Sequence, residues 1–315
     1  MTAHQYDYIF GPIPSRRLGV SLGVDLVPHK TCSLNCIYCE CGRTTNLTID
    51  RKAYVPTETV LAELKTFLEP KPKLDYITFS GSGEPTLHSG IGEIVKFLKT
   101  NFPEYKIALL TNGTLFYQPG LIEEVRNIDL ILPSLDAASD LIFKKLNRPF
   151  HELKIDKIID GLIQLRKKIT GQIWLEVFII PGLNDTEEEI KQLKSAIQRI
   201  KPDRVQLNTL DRPGTVSWIK PATKDSLEKI ANQLGSQAEI VANFQQREQV
   251  ASYNADVEST ILQTIKRRPC TVEDLCSILG LHQNEINKYI ETLLNRNLIS
   301  SEVLERGVFF KSVKK

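Results

Sequence analysis

The chain has no apolar run near the ~18 residues that a membrane-crossing helix requires, which excludes a helical span. It also lacks an excess of either charge. Its 40 Lys and Arg face 38 Asp and Glu, a formal net charge of +2, so electrostatics alone predicts no partner. The opening MTAHQYDYIFGPIPSRR has neither the basic start nor the apolar stretch of a signal peptide, and the protein is expected to stay in the cytoplasm. No repeat of ~20–50 residues and no low-complexity tract is present, which excludes solenoid and linker architectures. Cysteine is scarce, with six in 315 residues. In a reducing compartment those six are not expected to form disulfides, and a tight group of them points to metal or redox chemistry.

What is there is a rhythm. Near-continuous apolar runs at 21–28, 74–80, 105–111, 129–135, 172–180 and 203–210 alternate with amphipathic helical patterns at 56–70, 90–102, 119–127, 136–168 and 185–200. Apolar strands separated by helices predict a parallel sheet covered on its faces. Asp185 with Glu188 reads as a capping box opening one helix. About six strand and helix units fall short of the eight in a closed barrel, so a partial (β/α)6 TIM-like barrel is expected, with a doubly wound sheet as the rival. In either architecture functional groups collect at the C-terminal ends of the strands.

The pattern changes between residues 243 and 254. Helical segments at 256–267, 271–280 and 282–297 precede LISSEVLERGVFFKSV, with Thr271 and Asp274 as a capping box and Gly280 as a helix stop. Three helices and a Gly-turned hairpin predict a winged-helix domain at 246–315 after a barrel at 1–245. His282, Gln283, Asn284, Asn287 and Lys288 lie on or near the start of its third helix, where they could read bases. The balanced charge of this region falls short of a phosphate-dominated footprint, and winged helices also grip proteins. Cys270 and Cys276 are spaced for helical packing and read as small core residues.

The other four cysteines fill TCSLNCIYCEC, residues 31–41. Cys32, Cys36 and Cys39 follow the first strand with C-x3-C-x2-C spacing. Three thiolates can hold three irons of a 4Fe-4S cube and leave the fourth open to an outside ligand. Cys41 could instead complete a zinc site or a closed cluster. TFSGSGEPTLH, residues 78–88, ends the next strand beside this loop. Its glycines admit close approach of backbone to a ligand, and Glu84 can accept from an ammonium. It lacks the Gly-Lys-Ser/Thr ending of a phosphate loop.

Together these motifs resemble the radical S-adenosylmethionine (SAM) superfamily, in which C-x3-C-x-aromatic-C precedes a Gly-Gly-Glu-type turn. The likeness spans roughly residues 11–240 and departs at Ser82, where many members have glycine. It implies a 4Fe-4S cluster on Cys32, Cys36 and Cys39, with SAM chelated at the open iron and its amino group held by Gly81, Ser82, Gly83 and Glu84. It also implies Tyr38 near the adenine, Asn112 toward SAM or substrate, and Ser134 and Asp136 at the ribose. Reduction by a flavodoxin- or ferredoxin-type partner would cleave SAM to methionine and a 5'-deoxyadenosyl radical that abstracts hydrogen, an oxidoreductase chemistry. Substrate contact is assigned to Asn208, Asp211 and Arg212 in NTLDRPG and to Arg16 and Arg17 in PSRRLG. No general base is assigned, and His29 and His88 read as structural.

The run FGPIPSRRLGVSLGVDLVPHKTCSLNCIYC with GSGEPTLH is similar to a subgroup related to the wybutosine-forming tRNA enzyme and to tungsten-cofactor-modifying proteins, from which the ECG at 40–42 departs. Three functions follow from this reading: a radical enzyme acting on RNA or another macromolecule through the C-terminal domain, a radical activase or maturase of a protein or peptide, and a non-catalytic iron-sulfur DNA-binding sensor.

Overall fold

The computed structural model describes residues 6–15, 17–210, 214–241, 257–281, 283–304 and 306–313. The main sheet has eight strands: β1 (Ile9–Ser15), β2 (Gly19–Val24), β5 (Tyr76–Phe79), β6 (Lys106–Thr111), β7 (Leu130–Pro133), β8 (Gln172–Phe178), β9 (Arg204–Asn208) and β10 (Ala238–Ile240). Two short strands, β3 (Thr31–Cys32) and β4 (Asn46–Leu47), pair in the loop after β2. The sheet order is β1-β2-β5-β6-β7-β8-β9-β10. Every pair from β2 onward is parallel, and only β1 runs antiparallel, against β2.

Chain order and spatial order coincide, so the sheet is wound in one direction and has no switch point where the strand order reverses. That is the topology of a TIM-like domain and not of a doubly wound sheet. The sheet carries one parallel strand beyond the six predicted, the three-residue β10, and the antiparallel β1. Both stand at the edges. Pro12 in β1 removes a ladder donor, which confines such a segment to an edge.

Helices α1 (Thr57–Leu68), α2 (Ile91–Asn101), α3 (Leu121–Val125), α4 (Asp140–Leu146), α5 (Ile155–Lys168), α6 (Glu187–Ile200) and α7 (Lys224–Leu234) follow the strands. Each turns an apolar stripe onto the sheet; in α5, for example, Ile155, Ile158, Ile159, Leu162 and Leu165 are buried. The helical stretch expected from 136 to 168 is two helices. Arg148 takes a left-handed φ of 44° ahead of Pro149, and a residue before proline is steered away from the α region. The expected cap of α6 is also corrected. Thr186 caps it by accepting from the Glu189 N–H, while Asp185 accepts from the Gly182 N–H. Among the described residues no helix is long and apolar enough to cross a membrane.

Residues 257–313 build α8 (Val257–Arg267), α9 (Val272–Leu279) and α10 (Gln283–Asn295), followed by the antiparallel hairpin β11 (Ile299–Leu304) and β12 (Gly307–Ser312). They enclose their own core of Ile261, Ile265, Leu275, Ile286, Leu293 and Phe310, against which Ile13 of β1 also packs. The capping box of Thr271 and Asp274 is present, and Gly280 closes α9 at φ 65°. His282 and the side chains of Gln283, Asn284 and Lys288 lie outside the described residues.

Candidate iron-sulfur and SAM site

The C-terminal ends of β2, β5, β6, β7, β8 and β9 lie side by side, and the segments that follow them form one rim. The cysteine loop crosses this rim on three sets of backbone hydrogen bonds. At the glycine turn Lys30 N donates to Ser82 O (2.9 Å) and Glu84 N to Thr31 O (3.0 Å). After α4, Asn35 N meets Asn147 O (2.9 Å) and Ile37 N meets Leu146 O (3.0 Å). Thr215 N donates to Ile37 O (3.0 Å). Gly83 is required by this closeness, since a Cβ there would sit 2.2 Å from the Thr31 carbonyl oxygen.

Each of the three predicted ligands has its own donor. Asn112 Nδ2 lies 3.4 Å from Cys32 Sγ, Asn147 Nδ2 3.4 Å from Cys36 Sγ, and Lys30 Nζ 3.0 Å from Cys39 Sγ. The fourth thiol, Cys41, hydrogen-bonds to Cys39. That bond, together with the Lys30 ammonium, lowers the Cys39 thiol to about 6 against its burial. Burial first, and then the charge of Glu84, raises Cys32 to about 12; burial likewise pushes Cys36 up. Among the described residues no three His, Cys, Asp or Glu side chains close on a single metal ion. Three thiols on one short loop, each beside an N–H, fit a larger sulfur-ligated group, because iron converts thiols to thiolates on binding and N–H donors stabilise the sulfur charge.

Two cavities border the loop. An inner chamber of about 400 Å3 is lined by Tyr38, Cys39, Gly81, Ser134, Arg17 and Asn208, among others. An outer groove of about 1840 Å3 includes His29, Cys41 and Ser82 in its lining.

Two of the predicted site carboxylates are hydrogen-bonded within the protein. Glu84 is 1% exposed. Its carboxylate accepts from Thr86 N, Thr86 Oγ1, Thr111 Oγ1 and Asn112 N, at 3.0, 2.6, 2.7 and 2.7 Å, and it lines neither cavity. Glu84 therefore fastens the turn to the end of β6. Asp136 accepts from Tyr38 Oη, from Asn147 Nδ2 (2.8 Å) and from Phe178 N (2.9 Å). Burial raises this carboxyl to about 6. Tyr38 lines the chamber, but Phe178 stacks on one face of its ring, with centroids 4.1 Å apart. Gly83 likewise lines neither cavity and serves the close packing of the loop. Arg16, Asp211 and Arg212 lie outside the described residues.

The structure adds Glu176, Lys30 and Asn147, which the sequence reading missed, and joins Glu176 to the predicted Arg17 and Asn208. Arg17 Nη1 pairs with Glu176 Oε2 at 3.0 Å, and Asn208 Nδ2 donates to Glu176 Oε1 at 2.7 Å, which places an ion pair on the chamber wall. Glu176 had a signal, an acid inside the apolar run QIWLEVF. Lys30 and Asn147 had none, since only the folded loop brings them to sulfur. His88 is buried as expected for a structural group, accepting from Tyr54 N at Nδ1 (3.2 Å) and meeting Thr57 Oγ1 at Nε2 (3.1 Å).

Comparison with known proteins agrees with this architecture. Residues 26–193 match the family model described as the Radical SAM superfamily. The chain belongs to the radical SAM superfamily, whose members bind a 4Fe-4S cluster and SAM and are generally enzymes. Within it, the UPF0026 protein MJ1312 of Methanocaldococcus jannaschii is similar, with 31% identity over 306 residues covering 95% of this chain and 89% of that protein. A Brachyspira hyodysenteriae protein named GTPase Obg is 33% identical over 298 residues, 94% of this chain, but the chain spans only 44% of its length. The crystal structure of a radical SAM methyltransferase from Sphaerobacter thermophilus shares the fold, with a TM-score of 0.54 and 20% identity, covering 70% of this chain and 65% of that one.

Proposed function

We propose that this protein is a radical SAM enzyme in which Cys32, Cys36 and Cys39 hold the cluster and the adjoining chamber holds the reacting part of a substrate. The observation that carries this reading is the set of three thiols, each with its own N–H donor, on a loop stapled to the Gly81–Glu84 turn at the C-terminal rim of the sheet. When bound, the cluster supplies one electron that splits SAM into methionine and a 5'-deoxyadenosyl radical, which takes a hydrogen atom from the substrate.

The chain's own residues do the positioning. Asn112, Asn147 and Lys30 stabilise sulfur charge, and Glu84 and Asp136 brace the loops that carry the ligands. Ser80, Gly81 and Ser134 line the chamber for SAM, and Arg17, Glu176 and Asn208 line it for substrate. We read 1–245 as the partial barrel and 246–315 as a winged-helix domain that presents a large substrate, RNA or protein, to the groove. A flavodoxin- or ferredoxin-type protein in the cytoplasm would supply the electron.

The test is release of 5'-deoxyadenosine by anaerobically reconstituted, reduced protein given SAM, with cellular RNA, RNase-treated RNA or protein extract added in parallel. RNase-sensitive stimulation is the expected result. Stimulation by protein extract assigns a maturase instead. A full iron complement with no deoxyadenosine under any condition contradicts the enzymatic reading and favours the sensor, for which the Cys39–Cys41 hydrogen bond is the one supporting contact.

A further inference from the structure

The inner chamber and the outer groove share a wall. Glu40 and Cys41 of the cluster loop and Gln263, Arg267 and Arg268 of α8 and the turn after it line both. The C-terminal region thus meets the barrel at the neck between an open groove and the cavity beside the cluster.

The two arginines differ in what they hold. The Arg267 guanidinium lies over the Phe10 ring, 4.1 Å from its centroid, and its Nε donates to Asp25 Oδ2 at 3.1 Å. Its Nη1 is 3.4 Å from the Gln263 carbonyl, and among the described residues Nη2 has no acceptor. The side chain is therefore fixed in plane and position with one edge unspent, and an arginine held in this way binds an anion at little entropic cost. Arg268 has no carboxylate partner among the described residues. The groove adds four more lysines and arginines, Lys220, Lys266, Arg306 and Lys311, against Asp7, Asp25, Glu40 and Glu302.

Opposing charge is present at the neck itself. Glu40 is on the shared wall, and Asp25 stands beside it in the groove lining. Asp25 Oδ1 is enclosed with no hydrogen-bond partner among the described residues, and it lies against the glycine turn, 1.4 Å from where a Cβ on Gly81 would be. That oxygen is thus sealed from a ligand, and Asp25 serves to hold the Arg267 guanidinium in place through Oδ2. A phosphate would meet the two arginines, and the hydroxyls of its ester would meet the polar lining of the chamber. The chamber behind the neck suits the rest of such a ligand, with seven Ser and Thr hydroxyls in its lining and a volume at the small end of ligand pockets.

We propose that Arg267 and Arg268, with Asp25 beside them, form a recognition site for a hydroxyl-bearing phosphate ester, so that the C-terminal region is part of the substrate site. This rests on the reading of the chamber as the substrate end of a radical SAM site. The ligand is either a free sugar phosphate or one nucleotide of a polynucleotide lying in the groove.

The test is calorimetric titration of the anaerobically reconstituted, SAM-saturated chain with ribose 5-phosphate, ribose, inorganic phosphate and a 5'-phosphorylated ten-residue oligoribonucleotide. The expected result is that ribose 5-phosphate or the oligonucleotide binds at least about ten-fold tighter than ribose or phosphate. Which of the two binds tighter identifies the source. Arg268→Gln, which leaves the Asp25–Arg267 pair intact, is expected to remove at least about ten-fold of that affinity with unchanged melting and cluster absorbance. Equal binding of phosphorylated and unphosphorylated probes, no binding into the millimolar range, or full binding by Arg268→Gln overturns the proposal. The SAM-induced change in the cluster's paramagnetic resonance spectrum separates the two readings. If it persists without probe binding, only this proposal fails; if it is absent while probe binding remains, the enzymatic reading fails and takes the substrate role of the site with it.

Discussion

Cys32, Cys36, Cys39 and Cys41 stand in a loop at the rim of the sheet, half-buried, with an asparagine or lysine N–H beside each of the first three. Cys270 stands in the C-terminal core, fully enclosed, its backbone paired to Phe310 and its thiol donating to the Arg268 carbonyl. The residue type is the same and the chemistry is opposite. At the rim, each ligand sulfur has an N–H donor within reach, and Cys39 is held below its ordinary thiol value while burial raises Cys32 and Cys36. In the core, the sulfur is surrounded by leucine and isoleucine and acts as a small hydrophobe. What decides the role is the donor beside each thiol, and those donors arrive from distant parts of the chain.

The largest effect should come from breaking the rim set. Cys36→Ala or Cys39→Ala is expected to reduce the iron content and visible iron-sulfur absorbance of the reconstituted protein to background. Next is Gly83→Ala, whose added methyl would meet the Thr31 carbonyl at 2.2 Å and Val27 Cγ2 at 2.6 Å. Overpacking of this kind costs about 1–3 kcal/mol, measurable by urea unfolding, and it should lower cluster occupancy because the ligand loop must shift.

A third contrast uses pH, since protonation breaks a brace such as His88. Burial, with the Arg51 charge nearby, lowers His88 from 6.5 to about 4. The unfolded chain therefore takes up a proton below about pH 6.5 that the folded chain refuses until about pH 4. The stabilisation is complete above 6.5 and is lost as pH falls toward 4. Relative to His88→Asn, the parent should lose about 2 kcal/mol of unfolding free energy between about pH 7.5 and pH 5. The smallest effect belongs to the core. Cys270→Ala is expected to cost about 1 kcal/mol in thermal or urea unfolding and to leave cluster content unchanged.

The ligand spacing was legible because it is local: C-x3-C-x2-C and the Gly81–Glu84 turn each lie within one loop. The strand and helix rhythm was legible for the same reason, as was the capping box of Thr271 and Asp274. What was not legible is non-local. Asn112 and Asn147 reach their sulfurs from 80 and 111 residues away, and Asp136 is committed by Tyr38, Asn147 and Phe178, which no short window contains. The donors to Glu84 are scattered too, from Thr86, Thr111 and Asn112. The edge strand β1 was hidden by its prolines, and Arg148 with Pro149 divided a helical pattern that periodicity alone left continuous.

The central claim is that Cys32, Cys36 and Cys39 suffice to hold a cluster with one open iron, and that Cys41 stands beside it. The most direct measurement is the electron paramagnetic resonance spectrum of reduced, reconstituted Cys41→Ala, recorded before and after adding SAM. The account predicts a retained 4Fe-4S signal that changes when SAM is added, as in the parent chain. Loss of the signal in Cys41→Ala, or a parent signal indifferent to SAM, would contradict it and make Cys41 the fourth ligand of a closed cluster.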